Sequence, residues 1–146
     1  MEKDPHQVLE GIMLACFAIK SKKAFFYVRY EYGDAFRSVQ GAVDELYAAG
    51  LLGTNIFGAG FDLELVVHSG AGAYICGEET ALLHSLEGRR GQPRLKPPFP
   101  AVAGLYGAPT LINNVETLSS LPPIVERGAD WYASMGTEKS TGTEVF

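Results

Sequence analysis

Residues 68–91 read His-Ser-Gly-Ala-Gly-Ala-Tyr-Ile-Cys-Gly-Glu-Glu-Thr-Ala-Leu-Leu-His-Ser-Leu-Glu-Gly-Arg-Arg-Gly. An apolar, β-branched run containing Leu63, Leu65, Val66 and Val67 precedes this stretch, and a helix-forming segment with Ala81, Leu82, Leu83 and Leu86 follows its glycines. The pattern predicts strand, tight loop, helix. Glycine lets a backbone approach a ligand closely, and the helix start offers unpaired N–H groups. Gly72 and Gly77 have the spacing of a P-loop, but Glu78 and Glu79 stand where a phosphate-binding Lys and a Mg²⁺-binding hydroxyl belong. A dinucleotide fingerprint fails too, because Ile75 occupies the place of its third Gly. What is left is a Gly loop followed by two acceptors. Glu78 and Glu79 read either as favourable first-turn residues or as acceptors for the hydroxyls of a ribose or ribityl chain.

Outward from this loop the chain alternates. Asp4-Pro5-His6-Gln7 announces a helix, with Asp4 as N-cap, Pro5 in the first position and Gln7 placed to reach back to the cap N–H. Val8, Leu9, Ile12, Cys16 and Ile19 form its apolar stripe, and residues 21–23 end it. Residues 24–30 are aromatic and β-branched, which predicts a strand. Phe36, Val39, Val43, Leu46 and Tyr47 predict a second helix closed by Gly50, and residues 51–61 read as a Gly-punctuated loop. The order is that of a three-layer α/β/α domain with a mostly parallel sheet, whose ligands bind beyond the C-terminal strand ends.

After Gly91 four prolines fall within residues 92–100, so this segment is stiff and extended. It is either a crossover or a rigid mount for Phe99, with Lys96 able to add charge for a phosphate. Residues 104–112 are expected to turn into a short strand, and Asn113-Asn114-Val115-Glu116-Thr117 starts a long helix that Pro122-Pro123 should kink or split. Asn is a strong N-cap, and a neutral, donor-rich start also suits a phosphate better than the acidic start at Glu78 and Glu79. The polar residues 134–146 read as the truncated start of a further segment.

Composition narrows the classes. With 146 residues, 47% hydrophobic and a formal net charge of −5, the chain supports one core and lacks the basic face that nucleic acid needs. Its two cysteines, Cys16 and Cys76, have no C-x-x-C spacing and are too few to hold an Fe–S cluster. Cys16 reads as a small core hydrophobe. No apolar run is long enough to span a bilayer, so direct membrane insertion is not expected. Lone His68 and His84 read as structural, and Trp131 as packing.

Three blocks carry a family resemblance: residues 70–82, 93–101 (Pro-Arg-Leu-Lys-Pro-Pro-Phe-Pro-Ala) and 112–118 (Ile-Asn-Asn-Val-Glu-Thr-Leu). Together they resemble the NADH- and FMN-binding flavoprotein subunit of respiratory complex I, which is the F subunit of the bacterial NADH-quinone oxidoreductase and the 51 kDa subunit of mitochondria. Related subunits serve NAD-reducing hydrogenases and NAD-dependent formate dehydrogenases. The resemblance implies a Rossmann-like FMN-binding domain over residues 1–133 that lacks its first Gly-rich loop. The mechanism it implies is hydride transfer from NADH to non-covalently bound FMN, with electrons then leaving through Fe–S clusters. The implied contacts are Tyr74, Gly77, Glu78 and Glu79 at the flavin and ribose hydroxyls, Phe99 against adenine, and Asn113, Asn114 and Thr117 at the FMN phosphate. The 4Fe-4S cysteines belong to the complete protein and are absent here. The implied partners are other subunits of the peripheral arm, especially the 2Fe-2S (24 kDa-type) subunit. The implied location is peripheral, on the cytoplasmic face of the bacterial inner membrane or the matrix side in mitochondria. The rival expectation is an inactive fragment acting as a partial nucleotide-binding or subunit-contact module.

Overall fold

The computed structural model describes residues 1–143. Helix α1 (Pro5–Ile19) begins as its sequence dictates, with the Asp4 carboxylate accepting from the Gln7 N–H and Pro5 in the first turn. Val8, Leu9, Ile12 and Cys16 are buried along one face. Ile19 departs from the expected stripe: it is the last helical residue, 52% exposed, and the chain leaves through Lys20 in a left-handed conformation. Burial pushes the Cys16 thiol pKa up, as befits a core residue.

Strand β1 (Lys23–Val28) is shorter than the expected 24–30: its ladder stops at Val28, and Arg29 opens a turn in which its carbonyl accepts from the Tyr32 N–H at 3.0 Å. Helix α2 (Gly33–Ala48) buries Ala35, Val39, Ala42 and Val43, and Gly50 follows its cap at φ +70°. Residues 51–61 are not a plain loop. Gly53–Ile56 forms a short strand β2, and Phe61–Ser69 forms strand β3, joined as an antiparallel hairpin with an irregular register. The turn needs its special residues: Asn55, Phe57, Gly58 and Gly60 all have positive φ, and the Asn55 side-chain oxygen accepts from the Gly60 N–H at 2.9 Å.

The sheet order is β1-β3-β2, with a six-residue parallel ladder between β1 and β3 and the short antiparallel one at β2. The fold is therefore α/β with a small mixed sheet whose longer ladder is parallel. Alternation along the strands gives it two faces. Phe26, Val28, Leu63 and Leu65 join α1 and α2 in one core. On the opposite face Tyr27 stacks on His68, with ring centroids 5.4 Å apart, and meets Ser85 of helix α3 (Glu79–Leu86) through a 3.0 Å hydrogen bond. Beyond Leu63, where the β2 ladder ends, the α2 residue Tyr47 serves the β3 edge: its hydroxyl accepts from the Leu65 N–H at 2.9 Å.

Residues 104–112 form no strand. A short helix α4 (Pro100–Ala103) and a 3-10 turn (Leu105–Gly107) are knotted by Thr110, whose hydroxyl accepts from the Leu105 N–H and donates to the Ala108 carbonyl, both at 2.9 Å. Helix α5 (Val115–Arg127) runs through both Pro122 and Pro123 without splitting, and helix α6 (Ala129–Ala133) follows it. Two-residue strands β4 (Gly136–Thr137) and β5 (Ser140–Thr141) occupy the segment expected to be a truncated start, whose last three residues lie outside the described ones.

The prolines of α5 explain its seat on α1. A proline has no N–H, so Pro122 and Pro123 release the carbonyls four residues earlier, those of Leu118 and Ser119. The Gln7 side chain donates to the Ser119 carbonyl at 2.7 Å, instead of closing the expected capping box on its own helix. Gly11 lies directly on the Leu118 carbonyl, where a Cβ would collide with backbone atoms. Gly11→Ala is accordingly expected to destabilise the protein by about 2–3 kcal/mol, although Ala is the better helix former by about 1 kcal/mol. Urea denaturation checks this, and a more stable variant would contradict the close approach.

Candidate functional site

β1 and β3 run parallel and end together, the Gly70 N–H donating to the Val28 carbonyl at 2.7 Å. The Gly loop therefore leaves the sheet at its C-terminal edge, where the strand-loop-helix reading places it. Gly70 is covered by the Tyr27 ring, which leaves no room for a Cβ, whereas Gly72 (φ +82°) and Gly77 have open space there. Residues Tyr74–Gly77 make one 3-10 turn, leaving Tyr74 86% exposed and Cys76 buried.

Glu78 is the N-cap of α3. Its Oε2 accepts from the Thr80 N–H (2.9 Å), the Thr80 hydroxyl (2.6 Å) and the Ala81 N–H (2.9 Å). Partial burial pushes this carboxyl up, but the Thr80 hydroxyl, the Ala81 and Thr80 amides and the nearby Lys96 charge outweigh it, so its pKa lies below the ordinary value. Its other oxygen, Oε1, lies 3.6 Å from Lys96 Nζ. Glu79, in the first turn, forms an ion pair and hydrogen bond with the same ammonium. That bond leads the causes that raise the Lys96 pKa, ahead of the Coulombic pull of Glu79 and Glu78 and against desolvation. Glu78 is committed to the helix through one oxygen, while the Glu79 carboxylate is held by the Lys96 ammonium.

Phe99 is 57% exposed at the N-cap of α4. Asn113, Asn114 and Thr117 are exposed at the start of α5, where Asn114 caps the helix by accepting from the Glu116 N–H at 3.3 Å. Asn114 also lines a shallow cleft of about 450 Å³ with Lys3, Asp4 and Gln7 of the chain start. Glu78, Glu79 and Lys96 are brought into contact, and Tyr74 and Gly77 adjoin them in sequence. Among the described residues no hydrogen bond joins this acidic set to Asn113, Asn114 or Thr117. Sequence reasoning points Lys96 toward a phosphate; in the structure its partners are the two glutamates, a pairing hidden by the 17-residue separation.

The description "Nuo51 FMN-binding domain" names the family model that matches residues 1–123. The chain belongs to the Nuo51 FMN-binding domain family. The NADH-quinone oxidoreductase F subunit of Mycobacterium tuberculosis (strain ATCC 25618 / H37Rv) is 65% identical over 142 residues, covering 97% of this chain and 32% of that one. The F subunit of Streptomyces coelicolor is 62% identical over 143 residues, 98% of this chain and 32% of its own. That of Rickettsia felis is 54% identical over 143 residues, 98% of this chain and 34% of its own. A crystal structure of an NAD⁺-reducing NiFe hydrogenase in the H2-reduced state superposes with a TM-score of 0.83 at 41% identity, covering 94% of this chain and 23% of that one. The chain spans about a third of the length of these oxidoreductase relatives. Within this family of FMN-binding domains the segments around Glu78, Phe99 and Asn114 all fall inside the matched residues.

The lowered Glu78 pKa sets a pH dependence. Its contribution is complete above the ordinary carboxylate value and is lost as pH falls through the lowered one. Glu78→Gln is expected to cost about 1 kcal/mol at neutral pH, with the gap to the unmodified chain closing as pH falls below the ordinary carboxylate range. Denaturation midpoints across that range check it, and a gap independent of pH would contradict the cap.

Proposed function

We propose that this chain is the central part of a flavoprotein subunit that oxidises NADH through bound FMN and passes the electrons to Fe–S clusters on the way to quinone. The observation that carries the proposal is the Nuo51 match over residues 1–123, which includes a Gly loop opening at the C-terminal edge of the parallel strands onto an acidic helix start. The residues present suit FMN. Open glycine backbone at Gly72 and Gly77 admits a flat group, the exposed Tyr74 borders it, and Glu79 and the remaining oxygen of Glu78 accept from hydroxyls. The start of α5, with Asn113, Asn114 and Thr117, supplies neutral donors and backbone N–H groups for a phosphate. When bound, the flavin supplies hydride acceptance and one-electron release.

The chain's own task is binding and orientation. Phe99, held on a segment stiffened by four prolines, offers a face for adenine. The Lys96–Glu79 pair can open so that the carboxylate takes a ribose hydroxyl and the ammonium a phosphate oxygen. Residues 1–133 form the FMN/NADH-binding unit, and the cluster-bearing parts lie elsewhere in the subunit. The partners are other peripheral-arm subunits, including the 2Fe-2S (24 kDa-type) subunit. The protein sits peripherally at the cytoplasmic or matrix face of the membrane through those partners, in keeping with the finding that among the described residues no helix is long and apolar enough to cross a bilayer. A hydrogenase-type subunit is the second reading, favoured by the 0.83 TM-score to that structure. The higher identity to the NADH-quinone oxidoreductase relatives puts the complex I reading first.

Titration of the purified chain with FMN, followed by flavin fluorescence and by visible absorption after dialysis, tests the cradle. Stoichiometric retention is expected, and a folded chain that retains none would reduce it to a partial module. In the complete subunit, Glu79→Gln is expected to raise the KM for NADH about 10–100-fold, the effect of losing a hydrogen bond to a charged acceptor. Unchanged steady-state kinetics would remove Glu79 from the site.

A further inference from the structure

Tyr27 stands behind the Gly loop and adjoins both of its ends. It lies on strand β1, on the sheet face away from the core. Its ring stacks on His68 of β3, with centroids 5.4 Å apart and planes inclined by 25°. The same ring covers the first residue of the loop, because a Cβ built on Gly70 would come within 2.7 Å of the Tyr27 hydroxyl and 3.0 Å of two ring carbons. The hydroxyl meets Ser85 of α3 through a 3.0 Å hydrogen bond. Cys76, in the 3-10 turn at the far end of the loop, is a further neighbour: burial raises the Tyr27 pKa, the bond to Ser85 lowers it, and the adjacent thiol raises it again. Cys76 is itself buried, and Gly91 lies so close that a Cβ there would be 2.6 Å from its sulfur.

Between these ends the loop has little of its own to fix it. Residues 71–75 are exposed, and among the described residues the amides of Ala71 and Gly72 have no acceptor. A segment with few buried contacts and few backbone bonds takes its path from its anchors. One side chain thus ties the end of the parallel strands to the first residue of the loop, to the turn that closes it and to the helix whose start carries Glu78 and Glu79. We propose that Tyr27 is a positioning residue for the flavin, setting the path of residues 70–77 and through them the affinity and surroundings of FMN. The ring and hydroxyl are engaged within the domain by His68, Gly70 and Ser85, which is why the role is positioning and not contact. This inference rests on reading the Gly loop as the flavin cradle.

The test uses the complete subunit carrying Tyr27→Phe, Ser85→Ala, both together, or Tyr47→Phe. Tyr27→Phe keeps the ring over Gly70 and removes only the hydroxyl. Tyr47→Phe is the control: it too removes a tyrosine hydroxyl that bonds across elements, but to the Leu65 N–H in the middle of β3 instead of at the loop. The FMN dissociation constant, from fluorescence titration, is expected to rise about 3–10-fold in Tyr27→Phe and in Ser85→Ala, as for loss of one neutral hydrogen bond. The double variant should bind no more weakly than either single one, since both remove the same bond. Amide hydrogen exchange of residues 70–77 in the FMN-free subunit should quicken in these three variants, and the visible absorption bands of FMN bound at saturation should shift. Tyr47→Phe should lower Tm and leave all three readouts as in the unmodified subunit. A Tyr27→Phe variant that loses Tm with an unchanged FMN constant would overturn the proposal, leaving the residue a structural role alone. An effect that Ser85→Ala does not share would also overturn it, by making Tyr27 a direct flavin contact, and so would equal weakening by Tyr47→Phe. The two readings fail differently: an unmodified subunit that binds no FMN sinks the proposed function and this role with it, whereas tight binding that the variants leave unchanged sinks this role alone.

Discussion

One carboxylate oxygen holds the Gly-loop end of this domain together. Glu78 Oε2 accepts from two amides and a hydroxyl of the first turn of α3. The same hydroxyl, on Thr80, accepts from the backbone of Arg94 fourteen residues later. The Gly loop, the helix start and the proline-rich segment are thereby fixed relative to one another through a single half-buried hydrogen-bond relay. Charge-assisted hydrogen bonds of this kind are about twice as strong as neutral ones. Placing the carboxylate at the positive end of the helix adds to that preference. What is left over, Glu79, one oxygen of Glu78 and Lys96, stays near the surface and is mutually paired, and the proposed binding role draws on these groups.

The seat of α5 on α1 is organised by an opposite device. In α5 the prolines withdraw donors instead of adding acceptors, and one of the carbonyls they release, that of Ser119, is taken up by Gln7 of α1. Gly11 then allows the two helices to approach until backbone meets backbone. A polar defect in one helix and a missing side chain in the other thus become one specific contact. Both concern residues that propensity alone would discourage within a helix.

Much of this is legible in the residues. The Asp4–Pro5 start of α1, the Gly50 stop of α2, strand β3 and the strand-loop-helix at residues 63–86 follow from local rules, because caps, periodicity and glycine act over a few positions. What escapes is governed by partners distant in sequence or by competing turn signals. Strand β2 is four residues long and surrounded by the glycines of its own hairpin, so its pattern is masked. Local rules assign Gln7 to its own cap, yet it crosses to Ser119, and the pairing of Lys96 with Glu79 and Glu78 spans too many positions for a local pattern to show. At 104–112 the expected strand gives way to a turn in which Tyr106 takes a positive φ and Thr110 satisfies the backbone. The buried donors of Arg94 have no signature in sequence at all, since nothing distinguishes that arginine from the exposed Arg89 and Arg90 until the fold is known.

The Gln7–Ser119 bond joins residues 112 positions apart. On a ribosome that emits the chain from its N-terminus, α1 emerges long before α5. Its face of Val8, Leu9 and Ile12 gains α2 and the sheet first, and the last helix that closes over it arrives only when four-fifths of these residues have been made. The growing polypeptide therefore carries an open hydrophobic flank until α5 has been made. Over that interval the flank is a surface prone to non-native association.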